Sequence, residues 1–256
     1  MNEGQNAPDS APSPVDAPGP RTQELAHHRD TYLFEADADV VATGTDAAGP
    51  WAALSPNIFH PRGGGQPDDA ASVDGAPVEL FKHDAGWVAF RPRPAAGTDS
   101  PAEGEVPPPG TRVRAAVDPE TRLLHAALHT AGHLIGFVGE SVNGWSYTGH
   151  SHFPGQARLD FAPDGLQERF ATEELRAGEL AAFQARLDAL IAGAGAVTAT
   201  TAADGRRTVE IAGVGSEPCG GTHVDHVDRL AAVTVTEMRI KRGTLKVKYT
   251  ASHRPL

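Results

Sequence analysis

Apolar positions along the chain fall into two textures. From Thr31 to about Val117 they come in short runs, TYLF, WAAL, VELF and GWVAF, separated by clusters of Gly, Pro, Asp and Asn. Short apolar runs punctuated by turn formers predict strands, and together a small β-rich domain. The Pro- and Gly-dense stretch 95 to 111 reads as a surface loop within or at the edge of that domain. At Asp118 the period changes. Asp118 is a natural N-cap, Pro119 suits the first helical position, and Glu120 places negative charge at the positive end of the helix dipole. Leu124, Leu128 and Ile135 recur at helical spacing as far as Phe137, and the pattern stops in ESVNG. LDF at 159 to 161 reads as a strand. Residues 163 to 192 are amphipathic, with Phe170, Leu175, Leu180, Phe183, Leu187 and Leu190 among polar residues, which predicts one interrupted helix or two consecutive ones. Strands then return in VTATT, TVEI, AAVTVTEMRIK and TLKVKYT, the last two joined through Arg242-Gly243 as a hairpin. The expected organisation is α+β: a tail at 1–25, a β-rich domain at 26–117 and an α+β domain at 118–256.

Composition narrows the class. The first 24 residues are rich in Pro, Ala, Asp and Ser and contain no apolar run able to act as a signal-peptide core. No stretch approaches the ~20 apolar residues a membrane helix needs. The single cysteine, Cys219, excludes an internal disulfide framework. A cytoplasmic location and no membrane partner are expected. A net charge of -11 argues against general coating of nucleic acid, DNA included, because such binding draws on clustered Lys and Arg. Any nucleic-acid contact must use a local patch. The candidate is the C-terminal stretch with Arg239, Lys241, Arg242, Lys246, Lys248 and Arg254, opposed only by Glu237. A solvated charged hairpin is the alternative reading of the same residues.

The chemistry concentrates in two motifs. HTAGH places His129 and His133 four residues apart on one face of the expected helix, with His125 one turn earlier. PCGGTHV places Cys219 and His223 four apart in a glycine-flanked loop. Three imidazoles and one thiolate match the preference of zinc and suit magnesium or calcium poorly. Four protein ligands also close a coordination sphere, so such a zinc can be structural unless a ligand gives way or a fifth joins. Thr130 stands where the HExxH metalloprotease helix carries its glutamate, which disfavours a peptidase of that kind. A general base must come from elsewhere: His125, His150, His152 or the RNA itself. A third feature, FHPRGGGQPDD at 59 to 69, offers bare backbone at Gly63, Gly64 and Gly65 and a donor and acceptor at Gln66, but lacks the ending of a P-loop.

Together HTAGH, PCGGTHV and FHPRGGGQPDD resemble the editing domain of alanyl-tRNA synthetases and the free-standing AlaX-type trans-editing proteins. The similarity runs from about residue 30 through the closing MRIKRGTLKVKYT. With no aminoacylation core ahead of the motifs, the expected form is the trans-acting one. The resemblance implies a small N-terminal β-barrel-like domain followed by a zinc-binding α+β editing domain, with Zn2+ on His129, His133, Cys219 and His223. It implies catalysis through that zinc, amino-acid contacts from Gly63, Gly64, Gly65 and Gln66, with His125 as a possible substrate contact, and tRNA contacts from Lys241, Arg242, Lys246 and Lys248. The implied substrate is the acceptor end of a mischarged aminoacyl-tRNA, serine- or glycine-charged alanine tRNA. A specialised deacylase for a toxic threonine analogue such as fluorothreonyl-tRNA is an alternative within the family. A non-catalytic zinc-stabilised tRNA-binding module and a zinc hydrolase of small free esters are alternatives outside it.

Overall fold

The computed structural model describes residues 23–93 and 104–256. The expected tail, up to residue 22, and the expected loop, up to residue 103, lie outside them.

Strands β1 (Glu35–Asp46), β2 (Gly49–Ser55), β3 (Ala71–Val73), β4 (Ala76–Lys82), β5 (Val88–Pro92) and β6 (Arg112–Val117) close into an antiparallel barrel in the order β1-β2-β5-β4-β3-β6. Closure removes the unpaired strand edges that an open sheet of this size would expose. Period-two burial drives it: on β4 Val78 and Leu80 point inward while Glu79 faces solvent, and on β6 Val113 and Ala115 alternate with Arg112 and Arg114. WAAL, VELF and the VAF of GWVAF lie in β2, β4 and β5. TYLF is not a strand. Its groups are used elsewhere: the Thr31 carbonyl accepts from the Arg122 guanidinium, the Tyr32 hydroxyl donates to Asp225, and only the Phe34 carbonyl meets β6, accepting from the Val117 amide.

The remaining elements are α1 (Pro119–Phe137), β7 (Tyr147–Ser151), β8 (Arg158–Phe161), α2 (Glu173–Gly193), β9 (Val197–Thr201), β10 (Arg207–Ile211), β11 (Gly215–Pro218), β12 (Leu230–Ile240) and β13 (Leu245–His253). The Asp118 carboxylate caps α1 by accepting from the Thr121 amide at 2.8 Å, and one π turn, Val138–Val142, ends the helix at Asn143. A four-stranded sheet, β12-β13-β8-β7, packs its apolar face on α1, and a three-stranded sheet, β11-β10-β9, lies in the same unit. The β12–β13 hairpin turns at Arg242 and Gly243, both with positive φ. α2 buries a narrower stripe than its sequence suggests: Phe183 and Leu187 are buried but Leu175 is exposed. Its Gln184 side chain takes over part of the contact, pairing like a peptide group with Val233 O and Val235 N on the edge strand β12.

The architecture is therefore α+β with a closed six-stranded barrel. A buried polar seam joins the barrel to α1. Arg122, fully buried, donates from Nε to Asp69 at 2.8 Å and from Nη2 to the Ile58 carbonyl at 2.7 Å. Asp69 also accepts from the His60 amide at 2.6 Å, so both charges are satisfied out of water. Among the described residues, no helix is long and apolar enough to cross a membrane.

Candidate metal centre

The four expected ligands converge. One ligand atom from each of His129, His133, Cys219 and His223 lies within 4.8 Å of every other, the Cys219 Sγ standing 3.4 Å from His129 Nε2 and 3.2 Å from His223 Nε2. Helix α1 supplies two imidazoles because positions four apart share a face, and the loop after β11 brings in the thiol and the third ring. That loop is held from behind by Arg207, which donates from Nη1 to the carbonyls of Cys219 and Gly221 and from Nε to that of His28. Gly221 must be glycine: a Cβ there would sit 2.1 Å from the His129 ring.

Each imidazole is oriented through its other nitrogen. His129 Nδ1 meets Gln66 Oε1 at 2.7 Å, His133 Nδ1 meets a Glu217 oxygen at 2.8 Å, and His223 Nδ1 meets Thr130 Oγ1 at 3.1 Å. An acceptor at Nδ1 fixes the proton there and leaves Nε2 as the free lone pair, the arrangement that metal-ligating histidines adopt. The donor set and its outer partners fit a divalent metal with a taste for nitrogen and sulfur. Gln66 is fully buried by this role, its Nε2 donating to Thr222 Oγ1 while Oε1 also accepts from the Thr222 amide. Burial pushes His129 and His223 well below the ordinary histidine value, and neighbouring rings add to the effect. Burial also opposes the charge of His133, but hydrogen bonds to Cys219 and Glu217 outweigh it and raise its pKa to about 9.

The centre is not sealed. A cavity of about 200 Å³ opens beside it, lined by His129, His133 and Cys219 and walled by Gly64, Gly132 and Gly136. Its far wall is a ladder of rings: His152 stacks on His129 at 4.4 Å, His150 stacks on His152 at 4.8 Å, and Tyr147 stacks on His150 at 5.9 Å. His152 Nδ1 donates to the Tyr249 hydroxyl, which donates in turn to the Leu128 carbonyl, and burial lowers the His152 pKa to about 3. Glu140 and Glu217 stand at the cavity, the Glu140 pKa raised by burial and by its acidic neighbour.

The other expected site residues are placed as follows. Gly63 to Gln66 form a tight turn closed by two backbone hydrogen bonds, with Gly64 lining the cavity and Gly65 pressed against the His150 and His152 rings. His125 does not line the cavity; it is buried, its charged neighbours being Asp69, Arg122 and Asp68. Lys241, Arg242, Lys246 and Lys248 gather with Arg158 and Arg239 around a groove on the solvent face of the four-stranded sheet. Asp160 and Glu237 pair with some of these cations. Sequence reasoning missed Glu217, Arg207, Tyr147 and Tyr249, none of which carries a spacing signal of its own.

No family model matches the chain. The chain is 28% identical to the alanyl-tRNA editing protein AlaX-M of Methanosarcina barkeri over 85% of its own length and 94% of that protein's. It is 24% identical to AlaX-L of Pyrococcus horikoshii, covering 91% of the chain and 59% of AlaX-L. The chain is a homologue of the alanyl-tRNA editing proteins. It also aligns at 28% identity over 89% of its length with 26% of the alanine–tRNA ligase of Korarchaeum cryptofilum, so it matches a limited region of that longer homologue.

Proposed function

We propose that the protein is a zinc-dependent deacylase that hydrolyses the ester of a mischarged aminoacyl-tRNA, acting in trans in the cytoplasm. The observation that carries this reading is the quartet with every Nδ1 occupied, set beside an open cavity. The homology to editing proteins selects the ester among possible substrates. His129, His133, Cys219 and His223 would hold the zinc, which would supply a Lewis acid for the ester. Gln66 and Thr130 hold two of the imidazoles in place, and Arg207 fixes the loop. Of the three histidines that sequence leaves open as general base, His150 is favoured: it lines the cavity and is exposed, whereas His125 lies outside it and His152 is held as a very weak base.

The cavity falls below the ~300–1,000 Å³ of sites for larger ligands, and its glycine walls suit a small amino acid. Serine or glycine on alanine tRNA is the reading we favour. A threonine analogue such as fluorothreonine is the nearest competitor in size. The groove of Lys241, Arg242, Lys246 and Lys248 is assigned to the tRNA backbone. The test is a deacylation panel with zinc-replete protein and alanine tRNA charged with serine, glycine or alanine, plus threonine tRNA charged with threonine or fluorothreonine. Hydrolysis of seryl- or glycyl-tRNA with alanyl-tRNA spared supports the reading. Every ester surviving at its spontaneous rate overturns it.

A further inference from the structure

The metal centre and the basic groove occupy opposite faces of one sheet, and an exposed aromatic ring stands where a strand of RNA would pass between them. Tyr147 begins β7, the edge strand. It pairs with Phe161 on β8, and Phe161 pairs with Leu245 at the start of β13, so Tyr147 lies at the hairpin end of the sheet. On the next rung Asp160 pairs with Lys246, whose side chain faces the basic groove. The Tyr147 ring faces the other way. It lines the metal cavity, packs on His150 and edge-on against Phe161, and remains 39% exposed, one of four large apolar residues exposed among the described residues.

Charge fixes which part of an aminoacyl-tRNA can approach this ring. No Lys or Arg lines the cavity, Glu217 is already paired with His133, and Glu140 adds a further acidic group, so no free side-chain cation there holds a phosphate as the basic groove does. The cations that suit phosphates are around the turn at Arg242 and Gly243, on the opposite face. The terminal nucleoside carries the ester and has no phosphate on its 3′ side, so it suits the cavity while the preceding phosphates suit the groove.

Resting on the deacylase reading, we infer that Tyr147 is the stacking platform for the 3′-terminal adenine, holding the terminal nucleoside at the cavity mouth while the preceding phosphates cross the β7 edge to the basic groove. Exposed aromatic rings serve single-stranded nucleic acid in this way because every base offers a π face. The competing seat is a second cavity of about 240 Å³, lined by Phe137, Val209, Ile211 and Val214 and sharing His133, Glu140 and Glu217 with the first. None of its lining belongs to the four-stranded sheet that carries the basic groove, whereas Tyr147 stands on the edge strand of that sheet.

The test measures binding to the zinc-replete protein of 3′-deoxy-3′-(L-serylamino)adenosine, whose amide is not the hydrolysable ester, against the same compound lacking its base. Wild-type protein should prefer the adenosine probe by about tenfold or more, the order expected of one base on one ring. Tyr147→Ala should abolish that preference, while Tyr147→Phe and Tyr147→Trp keep it, which separates the ring from the hydroxyl that contacts His150. An absent preference in the wild type, a preference that survives Tyr147→Ala, or one lost only in Phe137→Ala overturns the assignment. Failure of the deacylase reading would show separately, as the absence of turnover on any charged tRNA whatever the probes do.

Discussion

Each imidazole of the quartet leans on a different acceptor: the amide of Gln66, the carboxylate of Glu217 and the hydroxyl of Thr130. Partners of this kind are worth about 10–100-fold in metal affinity or activity. Gln66→Leu, which keeps the bulk and removes the acceptor, should therefore weaken zinc binding by about that factor in competition with a chelator. Unaltered affinity would show that Gln66 does not orient His129. At this scale the four candidate ligands were legible because HTAGH and PCGGTHV bring scarce residue types into paired spacings. The direction of Gln66 was not. A glutamine beside three glycines suggests contact with a ligand, and only the fold reveals that its amide is spent between His129 and Thr222. Thr130 was visible only as a missing glutamate, whereas its hydroxyl anchors His223.

Helix α1 carries two glycines on its cavity side that look equivalent in sequence and are opposites in space. A Cβ on Gly132 would lie 2.3 Å from the His152 ring and 2.9 Å from the Tyr249 hydroxyl, while one on Gly136 meets nothing within 4 Å. Alanine in a helix interior is favoured over glycine by roughly 0.8–1.0 kcal/mol. Gly136→Ala should thus raise the urea midpoint, and Gly132→Ala should lower it by displacing His152. Equal responses from the two would contradict this packing. The helix itself was legible because its cap, first-turn proline and apolar spacing agree. Strands β1, β7 and β11 were not singled out: they are built mostly from Glu, Asp, Ala, Gly, Thr and Ser, and, Ala aside, none carries an apolar run longer than the Val40-Val41 pair of β1. TYLF misled in the opposite sense, because its carbonyl and side chains are used to bridge the barrel to the second unit.

At the scale of the whole molecule, an acidic protein presents one basic face. Its net charge of -11 hides the groove around Lys241 and Lys248, which the hairpin register assembles from two strands and Arg158 from a third. Lys241→Ala with Lys248→Ala should weaken tRNA binding and reduce its salt slope by about one or two, measured across a salt titration. An unchanged slope would place the backbone elsewhere. Buried histidines set the acid limit of the fold. Burial lowers His27, His60, His125 and His152, and also the partly buried His28; His28 and His60 fall to about 4. In the unfolded chain all five return to about 6.5. Between those values the unfolded state binds more protons, so stability is present above pH 6.5 and drains away as pH falls toward 4. Urea midpoints of chelator-treated protein should drop through that window, and a flat profile would contradict the burial.

Ester hydrolysis by this protein should depend on a metal bound at the quartet. The direct measurement is the deacylation rate of mischarged tRNA by protein stripped with a chelator, checked by circular dichroism to be folded, and then titrated with zinc. The predicted result is activity lost on stripping and restored in full at one zinc per chain. Undiminished hydrolysis by the folded, metal-free protein would contradict it.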